Sequence, residues 1–293
     1  MNILLNKPVA PDIKRLTKYL ESVNHSGWYT NFGPLHDELT LRLQNYLKVD
    51  NLLLVSNGTL ALQVASRVLN VQAAVTTPFS FAATSSSLLW QGIKLSYSDI
   101  NRHTYNLCPI ELAKNLEIDN SYDSIVATHV YGNPCNVELI SNVAEKYGKK
   151  IVYDAAHAFG VNINGSSVLN EGDASTLSFH ATKVFHTVEG GAIVFKCRNN
   201  YNRARELINF GIKPNGQLGE PGINAKLNEY QSAVGLTMLD CIDNILDHRA
   251  ALFEKYVEEL KNTVEIPKWH SGANTNGAYM PISSIMKTAL LMW

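Results

Sequence analysis

LLLVSNGTLALQVASRVL, residues 52–69, decides the fold. Leu52 to Val55 is an unbroken apolar run, too short for a helix and suited to a strand buried on both faces. Asn57 and Gly58 supply turn chemistry, and a helix is expected from Thr59 to about Leu69. A buried strand that passes straight into a helix is the repeating unit of a parallel α/β sheet. The same unit recurs on both sides. AVTTP (74–78) reads as a strand ended by Pro78, SSSLLWQG (85–92) as a short helix and KLSYSDI (94–100) as another strand. SIVATHV (124–130) is a buried strand, ELISNVAEKYG (138–148) a helix stopped at Gly148, and KIVYDAA (150–156) a strand that ends in an acid. STLSFHA (175–181) and GAIVFK (191–196) bracket a loop. Residues 228–262 carry a long helical period, two helices or one bent helix. Strands regularly followed by helices predict a parallel sheet covered on both faces.

The composition suits such a core. Of 293 residues, 45% are apolar and 17% charged, enough for one large α/β domain and part of a smaller one. A net charge of −1 gives no electrostatic footprint for nucleic acid or an anionic membrane. The four cysteines, Cys108, Cys135, Cys197 and Cys241, show no CxxC spacing, so free thiols in a reducing compartment are expected rather than a zinc site or disulfides. Pro8 interrupts the N-terminus before a signal-type apolar stretch develops, and Ala73 to Ile93 is broken by Pro78 and many hydroxyls. A cytoplasmic protein without a membrane span is expected.

Open parallel sheets bind ligands beyond the carboxyl ends of their strands. Three polar clusters lie there: Ser56 to Thr59, Asp154 with His157, and Ser178 to Lys183. Gly58 permits close backbone approach and Thr59 adds a hydroxyl at a helix N-terminus, where free N–H groups and the dipole favour a phosphate. An ordinary N-cap explains the same residues. Asp154 could keep a ring nitrogen protonated through a charge-assisted hydrogen bond, which turns a pyridine ring into an electron sink. It could also be a cap, and His157 a core histidine. Lys183, between two apolar strands and beside Ser178, His180 and Gly190-Gly191, could offer a neutral amine to a carbonyl once partly desolvated, or could be a surface lysine. Taken together, a phosphate site, an acid for a ring nitrogen and an imine-forming lysine are the parts that hold pyridoxal 5'-phosphate (PLP).

The residues also resemble a known family. NFGPLHDEL (31–39), SNGTLALQVA (56–65), TTPFSFAAT (76–84), HVYGNPCNVE (129–138), YDAAHAFG (153–160), LSFHATKVFHTVEGGAI (177–193) and GINAKLNEYQSAVGL (222–236) are similar, in order, to motifs of the DegT/DnrJ/EryC1/StrS sugar-nucleotide aminotransferases. The likeness runs from about Asn6 to about Pro281 and is specific as a set. It implies an α/β, aspartate-aminotransferase-like fold (fold type I of PLP enzymes), a mostly parallel seven-stranded sheet between helices. It implies that Lys183 bonds the cofactor and shuttles a proton, that Asp154 pairs with the pyridine nitrogen, and that Gly58, Thr59 and Ser178 hold the phosphate. Phe81 would stack on the ring and His157 would lie beside it. Asn224 would reach the phosphate in a partner subunit, a role for which nearby Asn228 competes, and this implies a homodimer with shared sites. Glutamate is the implied amino donor and a nucleotide-linked ketosugar the acceptor. HVYGNPCNVE, DAAHAFG and FHATKVFHTVEGG look like the viosamine-type branch, which aminates C4 of dTDP-4-keto-6-deoxyglucose. C3-aminating and GDP-linked members share most of these words.

The expected domains are a large PLP-binding domain over 1–240 and the start of a small C-terminal domain over 241–293. NGAYMPI (276–282) resembles the opening of a strand in the family's small domain, whereas SSIMKTALLMW (283–293) departs from the family pattern. A small domain cut short by a frameshift or premature stop near Ile282 is expected from that departure. On that expectation a remnant that binds PLP with little turnover is the alternative to an active enzyme.

Overall fold

A computed structural model describes residues 7–283. Apart from Ser283, the departing segment 283–293 lies outside the described residues. Two helices, α1 (Ile13–Ser26) and α2 (Pro34–Leu47), precede the first strand. Then come β1 (Leu52–Val55), α3 (Gly58–Val68), β2 (Ala73–Thr76), α4 (Ala82–Leu89), β3 (Lys94–Tyr97), α5 (Pro109–Ile118), β4 (Ser124–Thr128), α6 (Val137–Tyr147) and β5 (Lys150–Asp154). A small hairpin of β6 (Asn162–Ile163) and β7 (Ser166–Ser167) leads to β8 (Ala174–Ser178) and β9 (Gly191–Phe195). The helices α7 (Arg198–Leu207), α8 (Glu229–Leu239) and α9 (Ile242–Leu260) follow.

The main sheet has seven strands in the order β1-β9-β8-β5-β4-β2-β3. All neighbours are parallel except those of β9, which runs against both β1 and β8. Side chains alternate through it as the pleat requires. Leu52 and Leu54 of β1 join Ala192 and Val194 of β9 and Leu177 of β8 under Leu39 and Leu43 of α2 and Leu236 of α8. Leu53, Val55, Ile193 and Phe195 face the other way, toward Ala61, Val64 and Val68 of α3 and Ala204 and Leu207 of α7. Further along, Ile125, Ala127, Ile151 and Tyr153 pack under Leu112 and Leu116 of α5 and Ile140 and Ala144 of α6. Both faces are therefore covered, and the parallel strands lead into their loops at one edge.

The boundaries differ from expectation where tertiary bonds override propensity. Strand 124–130 stops at Thr128, and a 3-10 turn with Tyr131 at φ 59° follows. The short helix placed at 85–92 begins at Ala82, with Phe81 as N-cap, and ends at Leu89. Its first turn is held by side-chain bonds to neighbouring loops, which a propensity reading cannot see. The long helical stretch is two helices, broken at Asp240 and Cys241, and Asn228 opens α8 with a capping box shared with Gln231.

Candidate active site

Strands β1, β5 and β8 each lead into polar groups at the sheet's carboxyl edge. After β1, Asn57 caps α3 by accepting from Leu60 N–H at 2.8 Å. That leaves the first amides of an eleven-residue helix, with no acid in its first turn, as an anion-favouring end. Gly58 is needed there because a Cβ would lie 2.9 Å from the Ser178 Cβ at the end of β8. Gly191 closes the same corner, since its Cβ would meet Leu177 O at 2.7 Å and the Asn57 carbonyl carbon at 2.8 Å. Thr59 is exposed beside Gly58.

Asp154 ends β5 and is buried. Thr84 Oγ1 donates to its Oδ2 at 2.6 Å and Ala156 N–H to its Oδ1 at 3.1 Å. Burial pushes this carboxyl above the ordinary range; Thr84, Ala156 and the charge of Lys183 pull it back. Lys183 is half-buried on the β8–β9 loop, and desolvation lowers its ammonium pKa against the pull of Asp154. The loop is anchored below by Phe185, which stacks on Phe159 at 4.6 Å and meets Phe179 edge-on at 4.8 Å. Beyond the lysine, Val188 is held at φ 68°. His157 is pushed down to about 3 by burial, with Lys183 adding to the effect, so it is a neutral ring at working pH. It lies 4.7 Å from the Tyr279 ring and 6.5 Å from that of Tyr131.

Gly58, Ser178, Asp154, His157 and Lys183 thus share one corner of the molecule. Phe81 is the residue before α4, three positions from the Thr84 that grips Asp154, and it is 78% exposed. Asn224 is exposed next to Ala225, whose carbonyl accepts from Ser56 N–H at 2.8 Å, while the Asn228 amide is engaged as a cap. Residues that sequence reasoning passed over complete the picture. Thr84, Ser80 and Thr128 form a hydroxyl cluster behind Asp154. Tyr279 lines both a small cavity beside Lys183 and a cleft of about 830 Å³ that also touches Phe79, Tyr105, Tyr131 and Arg249. Ser80 and Thr84 lie in TTPFSFAAT, Thr128 ends the strand run SIVAT, and Tyr279 lies in NGAYMPI; those segments were their advance signal.

Among the described residues, no group of three His, Cys, Asp or Glu could hold a metal ion, and no helix is long and apolar enough to cross a membrane. A sequence model of the DegT/DnrJ/EryC1/StrS aminotransferase family matches residues 11–290. A dTDP-4-amino-4,6-dideoxy-D-glucose transaminase from Shigella dysenteriae is 38% identical over 286 residues, which is 96% of this chain and 77% of that protein. One of the same name from Escherichia coli is 36% identical over 284 residues, 96% of this chain and 76% of that one. The crystal structure of DesI in the presence of its TDP-sugar product superposes with a TM-score of 0.89 at 31% identity, covering 96% of this chain and 72% of that chain.

Proposed function

Because the chain belongs to the DegT/DnrJ/EryC1/StrS aminotransferase family, we propose that it transfers an amino group to a nucleotide-linked 4-keto-6-deoxy sugar with PLP as cofactor. The names of the two relatives favour dTDP-4-keto-6-deoxyglucose as acceptor. Glutamate is the proposed donor, and the amino sugar would serve surface polysaccharide of the O-antigen type, made in the cytoplasm.

One observation carries this reading: a buried carboxylate and an amine of lowered basicity act on each other at a strand edge, beside a helix N-terminus that Gly58 keeps clear. The donor set fits PLP part by part. The α3 N-terminus with Gly58, Thr59 and Ser178 would take the phosphate. Asp154, anionic and gripped on both oxygens, would accept the N–H of a protonated pyridine. Phe81 would cover one ring face and His157, uncharged, the other side. Lys183 would bond the aldehyde.

When bound, PLP supplies an electron sink that acidifies the carbon bearing the amine. The protein's own part is proton handling and exclusion. Asp154, as an anion, would hold a proton at the ring nitrogen. Lys183 Nζ, deprotonated more readily than a surface lysine, would carry the proton between the two carbons. His157 and Tyr279 pack beside Lys183 and limit water there.

We further assign residues 1–240 to a large domain and 241–293 to a small one. In support, α8 is buried along most of its length, whereas Ile242 is the buried residue of α9. A homodimer is proposed as well. Trp28, Tyr29, Phe210, Leu218, Ile223 and Tyr230 are all exposed, more apolar surface than a lone subunit gains from leaving in water. Asn224, exposed beside Ile223, would reach a partner subunit's phosphate.

The test is direct. Purified protein is loaded with PLP and given glutamate, then dTDP-4-keto-6-deoxyglucose or its GDP-linked counterpart. The expected result is a shift of the visible cofactor band to the near ultraviolet, then a dTDP-amino sugar seen by mass. Borohydride reduction should leave the label on the peptide with Lys183. Labelling elsewhere, or no amination of either sugar, overturns the reading.

A further inference from the structure

Behind Asp154 three hydroxyls stand in file. Thr84 Oγ1 is 2.6 Å from Asp154 Oδ2, Ser80 Oγ is 2.6 Å from Thr84 Oγ1, and Thr128 Oγ1 is 3.0 Å from Ser80 Oγ. They come from three places: Thr84 from α4, Ser80 from the β2–α4 loop, and Thr128 from the end of β4. Thr84 and Thr128 are buried. A hydroxyl has one proton to give. An ionised carboxylate can only accept, so Thr84 must spend its proton on Asp154. Ser80 must then donate to Thr84, and Thr128 to Ser80. The three dipoles align toward the anion, and each polarises the next. Were Asp154 protonated, its own proton could point at Thr84 and the whole file would reverse. Ala156 N–H occupies the other oxygen. The charged groups that act on Asp154 from the front are few, and Lys183 is the one with a resolved effect.

We propose that Thr84, Ser80 and Thr128 are positioning residues that lock the Asp154 carboxylate in its ionised form and in one orientation, so that it holds a proton on the cofactor's ring nitrogen. The role rests on the cofactor reading above and extends it to residues that touch the carboxylate or one another. Desolvation works against the anion here. A charge-assisted hydrogen bond is the strongest neutral-donor answer the protein can give, and a relay behind it strengthens that answer.

The experiment compares Thr84→Val, Thr84→Ser and Ser80→Ala with the wild type. Two readouts are taken: titration of the Asp154 carboxyl by carbon-13 NMR in apoprotein labelled at aspartate, and PLP affinity by equilibrium dialysis. Thr84→Val removes the donor at nearly constant volume. It is expected to raise the Asp154 titration midpoint and to weaken PLP binding about tenfold, the size of one charge-assisted bond. Thr84→Ser should restore both, and Ser80→Ala should move both in the Val direction by less. A merely structural threonine would lower the melting temperature without moving the Asp154 midpoint. An unchanged midpoint in Thr84→Val, or a serine variant that behaves like valine, overturns the proposal. If Thr84→Val does not fold, Ser80→Ala decides it: no change in either readout sinks the relay. Wild-type protein that fails to bind PLP would instead sink the cofactor reading, and the apoprotein titration would still judge the file of hydroxyls.

Discussion

His129 shows how far a single buried side chain can be read. Its Nδ1 accepts from Cys135 N–H at 3.0 Å, which fixes the proton on Nε2, and its ring stacks on Tyr153 at 4.6 Å. Nε2 and the Tyr153 hydroxyl are both buried without a partner among the described residues. Burial pushes His129 down to about 3 from 6.5. Between those two values the unfolded chain takes up a proton that the folded one refuses, so stability falls as pH drops through that window. The slope expected from this one group is roughly 1 kcal/mol per pH unit. Urea midpoints from pH 6.5 to 4 should show it, and His129→Asn should flatten the slope whatever it does to absolute stability. An unaltered slope would remove His129 as the source. At this scale the candidate site was half legible. Asp154 and Lys183 could be picked out because each follows a strand run. Thr84 could not, since its meaning comes from a carboxylate 70 residues away, and among Ala82 to Ser87 it looks like one more small polar residue.

A strand that buries a continuous apolar run is legible in advance. β1, β4 and β5 are buried along nearly their whole length. By contrast α7 sends only Ala204 and Leu207 into the core from RNNYNRAREL, too little to announce a helix. The β8–β9 loop holds a different kind of information. Val188, β-branched and exposed, sits in the left-handed region, where such side chains are strained. What keeps it there is the grip on the Glu189 carbonyl, which accepts from Thr187 Oγ1 at 2.7 Å and from Gln231 Nε2 at 2.7 Å. Val188→Asn, which tolerates that backbone, should therefore stabilise the protein by ~1 kcal/mol in urea unfolding. A loss of stability would mean that the valine's packing outweighs its backbone strain.

For the whole molecule, the open question is whether one chain completes its own site. Asn224 is exposed and bridges to Asn209, and its neighbour Ala225 accepts from Ser56 N–H. If it serves the neighbouring subunit, Lys183→Ala and Asn224→Ala proteins, each weak alone, should complement each other when refolded together. A mixed dimer would then carry one intact site, and random pairing would restore about a quarter of wild-type sites. Absence of recovery, with mixed dimers verified by mass, would assign Asn224 to its own subunit. The alternation of strand and helix made the layered architecture readable from the sequence. The proposed subunit pairing was not readable that way, because it would depend on which exposed apolar residues cluster in space.

The reversed strand β9 has a consequence for the order of assembly. Among the described residues it is the sole strand neighbour of β1, and Leu52 faces Val194 across that pair, so two stretches about 140 residues apart must find each other. During synthesis from the N-terminus, β1 emerges first and its hydrogen-bonding edge stays empty until β9 has been made. Closure entropy over so long a loop makes this step slow. The corner built from Asn57, Gly58, Ser178 and Gly191 is therefore among the last parts of the sheet to be finished, and a nascent chain halted before β9 would carry a bare strand edge open to aggregation.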